Sequence, residues 1–343
     1  MIPPEQIAEL KALLEASERP LFLFDDDPDG MTSFVQLYRF LGRGVGVIIK
    51  ASPVLSEMYL RKVREHNPDA VFVLDKPQIS HEFVLHCPVP IVWLDHHPPE
   101  DIPAGVHYFN PRVKDPEDGT PTSYWAYKVA GQHLWLAMTG VVGDWQLTEL
   151  AAEFSKKEPE LLPPELARPE DALYRSPLGE FARMLSFVVK GSVSEAMNCV
   201  KILMRIESPW EVLRQSTPRG RYLYRKQQRV RKEYDYLLAQ AEKGLSEGKL
   251  FSFIYTEQNT SFTSELSNEM VYRHPDKIVL ICRSRGDEMK CSLRAASLDV
   301  HGLVKGALAG LDGYGGGHEH ACGACVKRHH WEAFLDRVRE ALN

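Results

Sequence analysis

The N-terminal half of the chain alternates short apolar runs with amphipathic segments. Apolar runs fall within residues 21–25, 45–50, 70–76 and 89–97 and have the length of buried strands. The segments between them carry apolar residues at helical spacing, as in residues 31–43. Continuously apolar strands that alternate with helices indicate a parallel sheet with helices on both faces.

A second α/β pattern follows a long predicted helix over residues 219–244, which Gly244 ends. Residues 151–180 are rich in Pro and Glu and are predicted to form a loop or an insertion. We therefore expect an α/β fold with three parts. They are a parallel-sheet domain, a helical linker and a smaller C-terminal α/β domain, over residues 1–190, 191–245 and 246–343.

Polar residues follow three of the predicted strands. They are the acidic stretch Asp25–Asp29, Asp75, and the run Asp95–His97. Asp144 closes a further apolar run and is a fourth candidate. In open α/β sheets ligands bind beyond the carboxyl ends of the strands, so these side chains are expected at one edge.

Clustered carboxylates and histidines are typical of divalent cation sites. Neighbouring carboxylates resist ionising beside one another, and a bound dication holds them ionised. Carboxylate oxygens suit Mg²⁺ and Mn²⁺, and added imidazole favours Mn²⁺. Two cations about 3.5–4 Å apart can activate water for phosphoryl transfer. An acidic stretch can also be solvated turn chemistry, but the succession of strand ends favours metal binding.

The composition excludes several classes of protein. With 44% hydrophobic and 26% charged residues, the chain is typical of a soluble globular protein. It has no apolar stretch of the roughly 18 residues that a membrane helix needs. Six cysteines in 343 residues do not suggest a disulfide framework. A cytoplasmic location without a membrane partner is the expectation.

Charge is unevenly distributed along the chain. Residues 1–215 carry 21 basic and 31 acidic residues, whereas residues 216–343 carry 20 basic and 16 acidic ones. This asymmetry suggests cation binding in the first part and an anionic partner for the second. Arg221, Arg225 and Arg229 share one helix face, either as contacts to a nucleic acid backbone or as a solvated surface.

Four N-terminal motifs in order, "DDDPDG", "VLDK", "LDHH" and "VGDW", resemble those of the DHH phosphoesterases. The C-terminal "SLRA" and "GGGHEHACGA" resemble the DHHA1 domain that accompanies them. The resemblance covers nearly the whole chain except residues 151–180. It implies a DHH domain, a long linking helix and a DHHA1 domain.

The resemblance also implies roles for individual residues. Asp75 would bridge two cations, His97 would lie behind the ligands or contact the scissile phosphate, and Asp95 would orient His96. Mn²⁺ is the expected cation and Mg²⁺ the alternative. Asp95, His96 and His97 would form the catalytic group. The implied metal ligands are Asp25, Asp27, Asp29, Asp75, His96 and Asp144.

In the DHHA1 part, the family's Arg and glycine-rich turn hold the distal part of a nucleotide chain. The corresponding residues are Arg294, Gly315, Gly316, Gly317 and His318, with Ser292 as a weaker candidate. The run "HEHACGAC" also has zinc-like spacing, but His318 is already assigned and Cys322 falls where the family has a small residue.

The family resemblance predicts an exonuclease that degrades single-stranded DNA or RNA, or short oligonucleotides, to mononucleotides. Family pyrophosphatases and many short-oligonucleotide hydrolases have a further Asp where this chain has Met31, which favours the RecJ-like branch. Two alternatives remain open. One is a phosphodiesterase for cyclic dinucleotides or small nucleotides. The other is a scaffold of a replication or repair complex with residual nuclease activity; a replication partner could also accompany catalysis.

Overall fold

The computed structural model describes residues 1–50, 54–245, 247–256 and 260–342. Within the last range, only the backbone of His318 is described. The backbone divides into two compact units, Met1–Gln228 and Arg229–Asn343. The boundary falls within one continuous helix, Pro218–Lys243. The division into three parts at residues 190 and 245 stays a prediction.

The first unit is built on a parallel sheet. The strands of this unit are β1 Pro20–Asp25, β2 Val45–Ile49, β3 Val54–Leu55, β4 Ala70–Leu74, β5 Gln78–Ile79, β6 Ile91–Leu94 and β7 Val106–Phe109, of which β3 and β5 form a separate pair. Its helices are α1 Pro4–Ala16, α2 Pro28–Leu41, α3 Leu60–His66, α4 His81–His86, α5 Thr122–Ala130, α6 Leu134–Gly143, α7 Leu150–Lys157, α8 Pro169–Arg175, α9 Pro177–Val188, α10 Val193–Leu203, α11 Pro209–Leu213 and α12 Pro218–Lys243.

Five strands form the main sheet in the order β2-β1-β4-β6-β7, and every neighbouring pair is parallel. Side chains of β1 alternate between the two faces: Phe22 and Phe24 enter one hydrophobic core, and Leu21 and Leu23 enter the other. Because both faces are covered, these strands are apolar at every position. The predicted parallel sheet with helices on both faces is confirmed.

The acidic stretch after β1 is the start of a helix. Asp27 is the N-cap of α2 and accepts a hydrogen bond from the Gly30 N–H at 2.9 Å, while Pro28 takes the first helical position. A side chain at position 30 would meet the Asp25 backbone, so the turn from strand to helix requires glycine there. The helix therefore begins three residues before the predicted Met31.

The prediction of a loop over residues 151–180 is wrong. This stretch contains most of α7, all of α8 and the start of α9. Pro169 and Pro177 occupy first helical turns, where their fixed φ suits a helix, and Ser176 caps α9 through the Gly179 N–H. Helix α9 buries Phe181 among other apolar side chains. The prolines are therefore helix starts.

The second unit has a mixed five-stranded sheet in the order β11-β12-β10-β9-β8, antiparallel except for the pair β8–β9. The predicted glycine-rich turn is in fact the antiparallel pair β11–β12, since backbone pairing needs no side chains. The elements are β8 Leu250–Thr256, α13 Thr263–Arg273, β9 Ile278–Arg285, β10 Glu288–Ala295, α14 Val300–Leu308, β11 Gly313–His318, β12 Ala321–Lys327 and α15 Trp331–Glu340.

None of the helices in the described parts of the chain combines the length and the apolar content needed to cross a membrane.

Gly140 tests the packing of α6 against its neighbours. A methyl group there would overlap the hydroxyl oxygens of Ser123 in α5 and Thr32 in α2. We expect Gly140→Ala to lower the free energy of unfolding by about 1–3 kcal/mol, measured by urea denaturation. The matched control, Gly306→Ala in α14, has open space at Cβ and should be stabilising. Equal effects of the two substitutions would contradict the close packing at Gly140.

Candidate metal centre

Three acidic residues stand at the carboxyl ends of three adjacent strands: Asp25 is the last residue of β1, Asp75 follows β4 and Asp95 follows β6. The backbone pairing holds these ends in place, because the Asp75 N–H donates to the Leu94 carbonyl at 2.9 Å. Strand β1 pairs with β2 on one side and with β4 on the other, so the connections after β1 and after β2 lead to opposite sides of β1. The acids therefore gather at the topological switch point of the sheet, where such folds bind ligands.

Asp75 and His96 form the centre of the cluster. The His96 Nδ1–H donates to the Gly119 carbonyl at 2.9 Å, which leaves Nε2 facing Asp75 Oδ1 at 3.4 Å. Two acceptor atoms that face each other require a proton or a cation between them. Asp75 Oδ2 is buried and has no hydrogen-bond partner within the part of the chain that the structure describes. This donor set fits a divalent cation.

His97 lies beside this pair and is held by Asp95. The His97 Nδ1–H donates to Asp95 Oδ1 at 2.8 Å, and Asp95 Oδ2 accepts from the Asn110 amide at 3.2 Å. Nε2 is the other nitrogen of the His97 ring. One potential ligand atom from each of Asp75, His96 and His97 lies within 4.8 Å of the other two.

The prediction that Asp95 orients His96 is wrong. Asp95 contacts His97, and the carbonyl of Gly119 takes the corresponding place at His96. In extended backbone, residues two apart point to the same side and adjacent residues point to opposite sides. Asp95 therefore reaches His97, which leaves His96 to face the end of β4.

Asp29, in the first turn of α2, is fixed by the N-terminus of α5. It is buried and accepts hydrogen bonds from the backbone N–H groups of Thr122 at 2.7 Å and Ser123 at 2.9 Å. The Thr122 hydroxyl also donates to Asp75 Oδ1 at 3.1 Å. Burial and the charge of Asp75 nevertheless raise the pKa of Asp29 to about 8.

Burial dominates the electrostatics of the cluster. It raises the pKa of Asp25 to about 6 and that of Asp144, which lies 3.7 Å from His96 Nδ1, to about 6. Burial and the charges of Asp75 and Asp25 also hold the pKa of Asp27 well above its usual value. Repulsion of this kind is relieved by positive charge, which a bound dication supplies.

His96 and Asp75 show the opposite balance. Burial alone would lower the pKa of His96, but the charges of Asp144 and Asp75 hold it well above its usual value. Burial alone would raise the pKa of Asp75, but its hydrogen bond to His96 and the charge of His96 hold it below its usual value. The pair therefore favours a shared positive charge between its facing atoms.

Several contacts of the cluster escaped sequence reasoning. They come from the Gly119 carbonyl, the backbone N–H groups of Thr122 and Ser123, the amide of Asn110, and Lys76. Asn110 directly follows β7, so the strand-end pattern that indicated the acids could have found it. Backbone donors and acceptors carry no residue-type signal.

The predicted substrate residues of the second unit lie on two strands of its sheet, β10 and β11, which β12 separates. Arg294 in β10 is half-buried, and its Nε donates to Asn268 Oδ1 at 2.8 Å. Ser292 is buried, and its hydroxyl lies 2.9 Å from that of Ser267. Gly315, Gly316 and Gly317 are exposed in β11 at the edge of the sheet. The side chain of His318 lies outside the described residues.

Gly317 has a backbone that favours glycine. Its φ is +145°, and a side chain there would overlap the Ala321 carbonyl.

Cys322 and Cys325 are both buried in β12 with regular pairing to β10. Residues three apart in a strand point to opposite faces, so these two thiols do not converge on one zinc ion.

The three arginines of the basic helix face all lie in α12. Arg221 is half-buried and donates to the Gln215 carbonyl at 3.1 Å, whereas Arg225 and Arg229 are exposed. The first two belong to the first compact unit, and Arg229 begins the second. Their role in substrate binding stays a prediction.

Residues 250–343 match the DHHA1 domain family. RecJ from Thermus thermophilus with Mn²⁺ superposes with a TM-score of 0.72 at 18% identity, covering 99% of this chain and 55% of that one. The chain has the RecJ-like DHH/DHHA1 fold. It spans about half the length of the Thermus RecJ chain.

Other structures share the DHH/DHHA1 fold with this chain. Exonuclease RecJ bound to manganese has a TM-score of 0.59 and 17% identity, with 98% of this chain and 94% of that one covered. CDC45 from Entamoeba histolytica has a TM-score of 0.54 and 9% identity, with 98% and 97% covered. No curated protein sequence matches the chain. Identities this low establish the fold alone.

The pairing of Asp95 with His97 predicts a change in the titration of the imidazole. Burial alone would lower the pKa of His97, but the hydrogen bond and charge of Asp95 raise it above its usual value. A carboxylate favours the charged imidazolium, so Asp95→Asn should lower the pKa of His97. NMR titration of the histidine ring in metal-free protein measures this change.

The control is Asp101→Asn, which removes the exposed carboxylate beside His81 and should leave the titration of His97 unchanged. An unaltered pKa of His97 in Asp95→Asn would show that Asp95 does not set the protonation of this ring.

Proposed function

We propose that this chain is a metal-dependent phosphodiesterase that hydrolyses single-stranded nucleic acid or short oligonucleotides. The observation that carries the proposal is the facing pair of His96 Nε2 and Asp75 Oδ1, 3.4 Å apart among buried carboxylates at the switch point of the sheet. Such a pair requires positive charge between its atoms, and carboxylate with imidazole suits Mn²⁺ and similar ions.

The structural relatives support this assignment. Thermus RecJ occurs in complex with Mn²⁺ and also with Mg²⁺, and a second relative is an exonuclease bound to manganese. The candidate ligands of this chain occupy the strand ends of the same fold. We infer that the chain uses divalent cations in the same chemistry and that its substrate is a nucleotide chain.

Asp75 and His96 would hold a divalent cation, with Asp144 beside His96 and Asp29 beside Thr122. A cation there supplies Lewis-acid charge to a phosphoryl oxygen and lowers the pKa of water. His97 is held at Nδ1 by Asp95, and as an imidazolium it would donate a hydrogen bond to a phosphate oxygen. Asp95 acts on the reaction through the orientation and charge of His97.

The second unit would bind the nucleotide chain away from the scissile bond. Glycines in the edge strand β11 allow a phosphate to approach the backbone closely, and an arginine forms paired hydrogen bonds to it. Gly315, Gly316 and Gly317 in β11 and Arg294 in β10, with β12 between the two strands, would supply these groups.

Hydrolysis of end-labelled RNA and DNA, from dinucleotides to 25-mers in Mn²⁺, tests the proposal. We expect stepwise release of mononucleotides by the wild-type protein and loss of release in Asp75→Ala, because Asp75 lies at the centre of the ligand set. Asp101→Ala, which removes an exposed carboxylate of the same unit, is the matched control and should retain activity.

If wild-type protein that binds Mn²⁺ leaves every linear strand intact, the proposed substrate class is excluded. Cyclic dinucleotides and a scaffold role would then be the alternatives to examine. Equal activity of Asp75→Ala and Asp101→Ala would instead separate the cleavage from the proposed centre.

Arg294→Ala tests the substrate role of the second unit. A hydrogen bond to a charged group is worth about 1.5–3 kcal/mol, so we expect KM for a short oligonucleotide to rise about 10-fold or more. The value of kcat should change little, because Arg294 is not among the metal-site residues. Arg285→Ala, which removes an exposed arginine of β9, is the control. A fall in kcat alone, without a rise in KM, would refute a binding role for Arg294.

A further inference from the structure

Lys76 places a positive charge inside the candidate metal centre. It follows Asp75 directly, its side chain is 1% exposed, and its ammonium lies 3.0 Å from Asp25 Oδ1. Asp25 is one of the six side chains that the family motif designates as cation ligands. The proposed reaction assigns no role to Lys76.

The position of Lys76 is fixed by its surroundings. Its backbone carbonyl accepts a hydrogen bond from the Trp93 indole N–H at 2.8 Å, and Trp93 is fully buried against the sheet. The preceding residue, Asp75, has a φ of +59°, a left-handed conformation that non-glycine residues rarely adopt. Both features hold the chain in the turn that directs Lys76 inward.

A buried ammonium is costly unless a charged or polar partner meets it, and Asp25 supplies that partner. The same pairing occupies an oxygen of Asp25 that a cation would otherwise bind. An ammonium and a divalent cation repel each other at short range. Lys76 and a tightly bound cation at Asp25 therefore compete for one place.

We propose that Lys76 takes the place of one of the two cations that the family motif implies. The chain binds one divalent cation tightly, at Asp75 and His96, and the Lys76 ammonium is the fixed positive charge at Asp25. This inference rests on the metal site of the proposed function and is independent of the substrate.

Mn²⁺ titration of metal-free protein, by calorimetry and by equilibrium dialysis with metal analysis, gives the number of tight sites. We expect one Mn²⁺ per chain for the wild type. Lys76→Met has similar length and no charge, so it should raise the number toward two. Electron paramagnetic resonance should then detect the coupling of a close Mn²⁺ pair in Lys76→Met but not in the wild type.

Lys50→Met is the matched control. The Lys50 ammonium donates to the carbonyls of Val189 and Gly191 at 2.6 and 2.7 Å, so the substitution removes a lysine charge from the same unit without freeing Asp25. It should leave one tight Mn²⁺ per chain. Two sites in this variant as well would show that loss of any nearby charge is sufficient, which would overturn the proposal.

Asp25→Asn is an independent variant. It keeps the proposal testable if circular dichroism shows that Lys76→Met is not folded. Asp25 is not a ligand of the tight cation in this proposal, so Asp25→Asn should retain one Mn²⁺ with affinity within a few-fold of the wild type. Loss of that Mn²⁺, or two equally tight sites in the wild type, would overturn the proposal.

Metal counting uses no substrate, so its outcome is separate from that of the hydrolysis assay. One tight Mn²⁺ with no cleavage of any strand would support the role of Lys76 and refute the proposed activity. Cleavage by a chain that holds two equally tight Mn²⁺ ions would support the activity and refute the role of Lys76.

Discussion

The concentration of negative charge at one buried edge of the parallel sheet is the constraint on which the rest of the site depends. Asp25 at the end of β1, Asp29 in the first turn of α2 and Asp75 after β4 belong to elements that the core holds in place, so they cannot separate to relieve repulsion. Burial and the charge of Asp75 together raise the pKa values of Asp25 and Asp29. Backbone N–H groups of α5, the His96 ring and the Lys76 ammonium supply donors or positive charge to these oxygens.

The fold meets this constraint with several kinds of group. Backbone N–H groups at the start of α5 donate to Asp29, the His96 ring faces Asp75, and the Lys76 ammonium pairs with Asp25. Oδ2 of Asp75 is the buried carboxylate atom that no hydrogen bond satisfies within the described residues. An external cation at the candidate site would therefore meet its greatest unmet demand at this oxygen of Asp75.

Sequence reasoning predicted the strands and the acids at their ends, because hydrophobic runs and charge are local properties of the chain. It failed where a contact depends on which way a side chain points, or where an element depends on the exact position of a proline. The partner of Asp95 depends on which side of an extended backbone each residue faces, and the helices within residues 151–180 depend on prolines at first turns. The contribution of Lys76 was missed because lysine is usually exposed, and only the turn at Asp75 directs it inward.

A buried lysine beside a cation site also affects how the protein folds. Uncompensated buried charge is strongly destabilising, so a centre made of carboxylates alone would require protons or cations before it could assemble. The pair of Lys76 and Asp25 removes part of that requirement from within the chain. The sheet edge can then form in the absence of metal, with the remaining charge of Asp75 facing His96. In the proposed site, folding therefore depends less on a bound cation than it would in a centre of carboxylates alone.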